Sequence, residues 1–142
     1  MRTRPDYYYT QSAVVPYRVR DGRVEILLIT SRRSKRWIVP KGIVEADLTP
    51  EESAAKEAWE EAGVTGEVDV APLGSYSYEK WGDVCHVTVY ALRVGEELTA
   101  WPEDFRTRAW VTSKEAAKRV READLKGLIK DFARDLEGRA DA

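Results

Sequence analysis

Residues 42–64 read GIVEADLTPEESAAKEAWEEAGV, and this stretch decides the fold and most of the chemistry. Thr49 suits a helix N-cap, Pro50 suits the first helical position, and Glu52, three residues after Thr49, completes a capping box. Gly63 supplies the stop. Between these limits Ala54, Ala55, Ala58 and Ala62, with Trp59 at their margin, repeat at helical spacing and predict a buried stripe. At ~100° per residue, Glu57, Glu60 and Glu61 then share an arc of about 100° on the other side, so their carboxylates are expected to converge just off the helix.

Such a cluster is locally costly. Glu57 and Glu61 are like charges four apart, worth ~0.2–0.5 kcal/mol against the helix, and Glu60 and Glu61 lie in the last turn, where the dipole disfavours anions by about 0.3–1 kcal/mol each. No Lys or Arg occupies that turn, although Lys56 can pair with Glu52 or Glu60 across one turn. A well-capped helix that carries an adverse charge cluster is a conflict between local rules of the kind functional sites show. A divalent cation resolves it. Oxygen ligands with no cysteine or histidine close by suit Mg²⁺, or Mn²⁺, rather than zinc. On charge alone, the same face reads equally well as a solvated acidic surface.

Working outward, residues 12–19 and 24–30 flank Asp21-Gly22, a hairpin signal, and Trp37-Ile38-Val39 forms a short apolar strand ended by Pro40. After the helix, residues 68–78 and 84–94 read as two strands around a turn at Trp81-Gly82-Asp83, and residues 108–111 as another. A second helix is expected from Thr112, where Glu115 offers another capping box. With an interruption, it continues through a buried stripe of Leu125, Leu128, Ile129, Phe132 and Leu136.

The 142 residues fit one domain over 1–142, with no linker or repeat. Charged residues make up 34% of the chain yet the formal net charge is only −2, which gives no support to a nucleic-acid polymer as partner. The N-terminal MRTRPDYYYTQS lacks the apolar stretch of a signal peptide and no run is long enough to span a membrane, so a cytoplasmic location is expected. The single cysteine, Cys85, excludes an internal disulfide and reads as a packed thiol. His86, the only histidine, falls in a strand pattern and reads as structural. Oligomeric state is not legible.

The central segment resembles the Nudix hydrolase box, with Gly42, Lys56, Glu57, Ala58, Glu60, Glu61, Gly63 and Val64 at matching positions. Two departures stand out. Lys56 replaces the usual arginine, which keeps the charge but loses the bidentate fork. Leu48 stands where the family has its first glutamate; Glu45 or Asp47 lies close enough in sequence to reach the same region. The resemblance extends to SRRSKRWIVPKG, residues 31–42, to Trp101 and to RAWV, residues 108–111, a pattern similar to the diphosphoinositol polyphosphate phosphohydrolase branch. It implies an α/β fold, an alpha/beta/alpha sandwich around a mixed β-sheet.

It also implies roles. Glu57 and Glu61, with the carbonyl of Lys41, would hold Mg²⁺, and Glu60, itself among the metal-site carboxylates, would act as the general base. A fourth acidic ligand outside the helix is common in the family, and Glu79, Asp83 and Glu103 are unranked candidates. Arg32, Arg33, Lys35, Arg36 and Lys41 place cations before the metal helix, and arginine binds two phosphate oxygens at once. We expect Arg32, Arg33, Arg36, Lys41, Gly42 and Lys80 to line the substrate, with Arg106 or Arg108 also reaching the phosphates. Trp37, Tyr7, Tyr8, Tyr9 and Tyr17 can stack on a base, although aromatic residues more often pack, as Trp101 and Trp110 are expected to do.

The function implied is Mg²⁺-dependent hydrolysis of a diphosphate linkage in a small polyphosphorylated molecule, a diphosphoinositol polyphosphate or a dinucleoside polyphosphate. Two alternatives are a pyrophosphohydrolase for nucleoside triphosphates or oxidised nucleotides, and a ligand-sensing domain without catalysis, for which Leu48 is the best argument.

Overall fold

The computed structural model describes residues 1–140. After a 3₁₀ turn at Asp6–Tyr9, the strands are β1 (Thr10–Arg20), β2 (Arg23–Thr30), β3 (Trp37–Ile38), β4 (Lys41–Ile43), β5 (Val64–Val68), β6 (Gly74–Lys80), β7 (Asp83–Glu97) and β8 (Arg108–Thr112). They form one mixed sheet with the path β3-β2-β1-β7-β5, to which β4 adds on β1, β6 on β7 and β8 on β2. The β1–β7 pairing is parallel and all others are antiparallel. Both hairpin turns, Asp21-Gly22 and Trp81-Gly82, take positive φ at two successive residues, which matches the right-handed twist of the strands they join.

The three helices are α1 (Pro50–Glu57), α2 (Ser113–Arg119) and α3 (Ala123–Ala140). Alternation along the central strands gives one face of the sheet to α2 and α3 and the other to α1 and the turn that follows it. Ala13, Val15, Val24, Ile26, Leu28, Val87 and Val89 pack with Ala116, Ala117, Leu125, Ile129 and Ala133 of α2 and α3. Their neighbours Val14, Leu27, Ile29, Tyr90 and Leu92 pack on Ala54, Ala58 and Ala62 from the other side. At ~1.5–3 kcal/mol for each large apolar side chain removed from water, these two layers are the main stabilising contribution to the sandwich. Among the described residues, no helix is long and apolar enough to cross a membrane.

Three sequence expectations change. Residues 68–78 do not form one strand: the Asp69 carboxylate accepts from the Ala71 N–H at 3.0 Å, a local turn that competes with the ladder, and Pro72 lacks an N–H. The C-terminal helix is two helices, because Val120 takes an extended conformation and buries its side chain in the core, while the Lys126 ammonium donates to the Ala117 carbonyl at 2.8 Å. At its start, Thr112 accepts from the Glu115 N–H, but the Glu115 carboxylate turns to Arg119, so only half of the second capping box forms.

Candidate active site

The helix of residues 50–62 is built as its caps dictate for its first two turns. Thr49 Oγ1 accepts from the Glu52 N–H at 3.2 Å and the Glu52 carboxylate accepts from the Thr49 N–H at 2.8 Å. Ser12 Oγ donates to the Pro50 carbonyl at 2.8 Å and ties the helix start to β1. From Ala58 to Ala62 the winding widens into a π-helical turn that ends at Gly63, whose φ of 66° is left-handed. Each residue then advances by less than the ~100° of an α-helix, which brings Glu61 into line with Glu57 and swings Glu60 away from Glu57.

Glu57 and Glu61 therefore face one another, and Glu61 is only 9% exposed. Glu61 Oε1 accepts from the Lys41 N–H at 3.2 Å, while Glu57 lies over Gly42 so closely that a Cβ there would overlap its carboxylate. Burial, then the charge of Glu61, pushes the Glu57 carboxyl up to about 9 from an ordinary 4.5; burial also raises Glu61. Glu60 lies beside Lys56, 3.8 Å away, and Lys56 is held in turn by Glu45 at 2.8 Å. Among the described residues, no three Asp, Glu, His or Cys side chains converge on one point, so the expected three-carboxylate convergence is replaced by a pair, Glu61 buried and Glu57 half-buried, and an outlying Glu60. The pair suits a hard cation nonetheless: two carboxylates that are shielded from water and repel each other gain from a divalent ion between them.

This arrangement has a measurable sign. In the metal-free protein, a Glu57 carboxyl raised above its unfolded value contributes stability that is full below about pH 4.5 and is lost as pH rises through about 9. Thermal melts in chelator are expected to show a falling Tm over this window, with the fall flattened in Glu57→Gln. A Tm that rises with pH there contradicts the raised Glu57 carboxyl.

The unranked acidic candidates now separate. Glu103 donates its N–H to the Glu60 carbonyl at 3.0 Å, and its charge raises both Glu57 and Glu61. Asp83 is engaged by Arg2 at 2.8 Å, and Glu79 lies on β6. Arg106, expected at the phosphates, is instead buried behind Glu103, bonded to it from Nε at 3.0 Å and Nη2 at 2.8 Å, with Nη1 on the Thr30 carbonyl at 2.9 Å. Its role is to hold Glu103. Arg108 is likewise engaged internally, donating to the carbonyls of Ala62 and Gly63.

The remaining cations form two groups. Arg32 is exposed, 3.5 Å from Glu103 and over the ring of Phe105. Lys41, Lys80, Arg33 and Arg36 lie close enough to influence one another: burial lowers Lys80, helped by Lys41 and Arg33, and burial lowers Lys41, helped by Arg36. Lys41 Nζ donates to Tyr78 Oη at 2.9 Å, and Tyr78 donates to Gln11 Oε1 at 2.9 Å. Arg36 sits 3.8 Å from Glu122, in the break between α2 and α3. Of the aromatic candidates, Tyr9 is buried with its hydroxyl on the Trp81 carbonyl, Tyr17 packs on Phe132 and Trp37 lies under Arg119. Tyr7 remains exposed. His86 Nδ1 lies 3.2 Å from Ser77 Oγ, and Cys85 is a buried free thiol.

The family model for the NUDIX domain matches residues 9–132. Nudix hydrolase 16, mitochondrial, of Arabidopsis thaliana is 37% identical over 121 residues, covering 78% of this chain and 67% of that protein. Diphosphoinositol polyphosphate phosphohydrolase 3-beta of Bos taurus is 38% identical over 99 residues, 66% of this chain and 58% of that one. Across three Arabidopsis relatives, the matched region spans 61% to 67% of their length. A solved structure of a C. elegans Ap4A hydrolase binary complex superimposes with a TM-score of 0.75 at 23% identity, covering 92% of this chain and 98% of that one, which supports the fold.

Proposed function

Because the chain belongs to the Nudix family, a match that takes in the whole box from Gly42 to Val64, we propose that it hydrolyses a diphosphate linkage in a small polyphosphorylated molecule, with Mg²⁺ as cofactor. The observation that carries this reading is the Glu57–Glu61 pair over Gly42, Glu61 buried and Glu57 half-buried, with Lys41 beside Glu61 and with Lys80, Arg36 and Arg33 grouped around Lys41. Nudix hydrolases work with divalent ions, and hard carboxylate oxygens favour Mg²⁺ among them. Glu57, Glu61 and the Lys41 carbonyl would hold the ion, with Glu103, restrained by Arg106, as a further carboxylate at its edge.

What the ion supplies when bound is neutralisation of phosphate charge and acidification of water. The chain supplies the rest. Glu60, outside the Glu57–Glu61 pair, takes the proton of the attacking water as the water oxygen bonds to phosphorus and the bridging P–O bond breaks. Lys41, Lys80 and Arg33 neutralise the departing phosphate, and Arg32 and Arg36 extend the positive rim along the substrate. Gly42 admits the close approach of Glu57 and of the substrate to the backbone. Preference for many phosphates follows from the number of cations, and a diphosphoinositol polyphosphate is favoured by the 38% identity to a phosphohydrolase of that name.

The test is phosphate release from a panel holding a diphosphoinositol polyphosphate, a dinucleoside polyphosphate and a nucleoside triphosphate, with Mg²⁺ and with chelator. Release is expected from the first two, dependent on the ion. Turnover of the nucleoside triphosphate alone selects the nucleotide alternative. Binding without turnover of any member overturns the proposal and favours a sensing domain.

A further inference from the structure

The last turn of the glutamate-bearing helix is fastened by one segment, residues 97–108, that the catalytic roles above do not use in full. A helix end leaves four carbonyls without intrahelical partners, and a widened turn has fewer bonds to spare. Here each one finds a donor. The Glu60 carbonyl accepts from the Glu103 N–H at 3.0 Å, that of Glu61 from Trp101 Nε1 at 3.1 Å, that of Ala62 from Arg108 Nη1 at 3.1 Å, and that of Gly63 from the Leu98 N–H at 2.8 Å. The Arg108 guanidinium stacks on the Trp101 ring at 3.9 Å and reaches Glu97 at 3.7 Å, so the two donors brace each other. Both press on Gly63: a Cβ there would lie 2.6 Å from Trp101 and 2.9 Å from Arg108 Nη1.

We propose that Trp101 and Arg108 are positioning residues for the metal-holding carboxylates: their side-chain donors keep residues 58–62 in the wide turn that aligns Glu61 with Glu57. Neither side chain reaches a carboxylate of the pair. They act through the backbone carbonyls of Glu61 and Ala62. Without these donors, the turn can tighten to ordinary α winding, which rotates Glu61 out of line with Glu57 and brings Glu60 back towards it. A packing role alone would need the bulk of Trp101 but not its N–H, and this difference makes the proposal testable. The inference deepens the proposed function and rests on its reading of Glu57 and Glu61 as metal ligands.

The test compares wild type with Trp101→Phe, which keeps a stacking ring and loses the donor, and with Arg108→Lys, which keeps the charge and loses the fork. Three readouts are taken on the full chain: hydrogen exchange of residues 58–63 without metal, Mn²⁺ affinity from the electron paramagnetic resonance of the free ion, and the Mg²⁺ requirement of hydrolysis against substrate KM. Expected are faster exchange confined to residues 58–63, Mn²⁺ affinity weaker by about 10-fold to 100-fold, a parallel rise in the Mg²⁺ needed, and an unchanged KM at saturating Mg²⁺. Melting temperatures should stay within a few degrees of wild type. Wild-type exchange and Mn²⁺ affinity in both variants overturn the inference, as does faster exchange with affinity unchanged. Should wild type itself bind no Mn²⁺, the metal reading fails first and this inference with it; should wild type bind and the variants match it, this inference alone fails.

Discussion

Glu60→Gln is expected to lower hydrolysis by about 10²–10⁴-fold, the usual contribution of a positioned general base. The substitution keeps the shape of the side chain and its place beside Lys56, and it leaves the Glu57–Glu61 pair untouched. The loss should therefore appear in kcat, and equally in kcat/KM, with the Mn²⁺ affinity held within a few-fold of wild type, because the missing interaction is made in the transition state. Glu57→Gln and Glu61→Gln should differ in kind: they remove a ligand, so metal affinity and rate fall together. A Glu60→Gln protein as active as wild type would remove Glu60 from the mechanism. One that loses its metal in proportion to its rate would make Glu60 a ligand instead of the base.

The contrast among the three glutamates was only half legible in the sequence. Thr49, Pro50, Glu52 and Gly63 set both ends of the helix because caps are local chemistry, and the structure has each in its expected role. Residues 12–19, 24–30 and 84–94 were legible as strands from their apolar runs and flanking turns, and they form β1, β2 and β7. The π-helical turn had no such signal: nothing between Ala58 and Ala62 distinguishes wide winding from α winding, and what holds it, the segment from Glu97 to Arg108, is distant in sequence. An arc drawn at ~100° per residue thus grouped three carboxylates where two pair and one stands apart. Glu103 escaped ranking on the same grounds, since its place depends on Arg106 and on the Glu60 carbonyl. Arg106 and Arg108 were read by charge alone, and each is instead spent on an internal acceptor. The break at residues 69–72 was legible, because Asp69 and Pro72 are turn chemistry that the strand pattern overrode.

Gly42→Ala is expected to cost about 10²-fold in activity while leaving the fold intact, a combination that few substitutions at a buried site produce. The backbone of Gly42 is not among the positive-φ positions, so alanine meets no conformational penalty, and its partner across the ladder, Ser12, is undisturbed. The conflict is confined to one contact, because the new Cβ falls on the Glu57 carboxylate. That carboxylate is the far end of a flexible side chain, so the cheapest response is for Glu57 to rotate away rather than for β4 or α1 to move. Rotation separates Glu57 from Glu61 and relieves the burial and repulsion that raise its pKa. Stability near neutral pH should therefore hold or rise slightly, and the fall of Tm with pH should flatten as in Glu57→Gln. Divalent affinity, which needs both carboxylates on one ion, should drop with the rate. Full activity and an unchanged pH dependence of Tm in Gly42→Ala would mean that Glu57 does not work from its position over Gly42, and the metal site would have to be sought elsewhere on the helix.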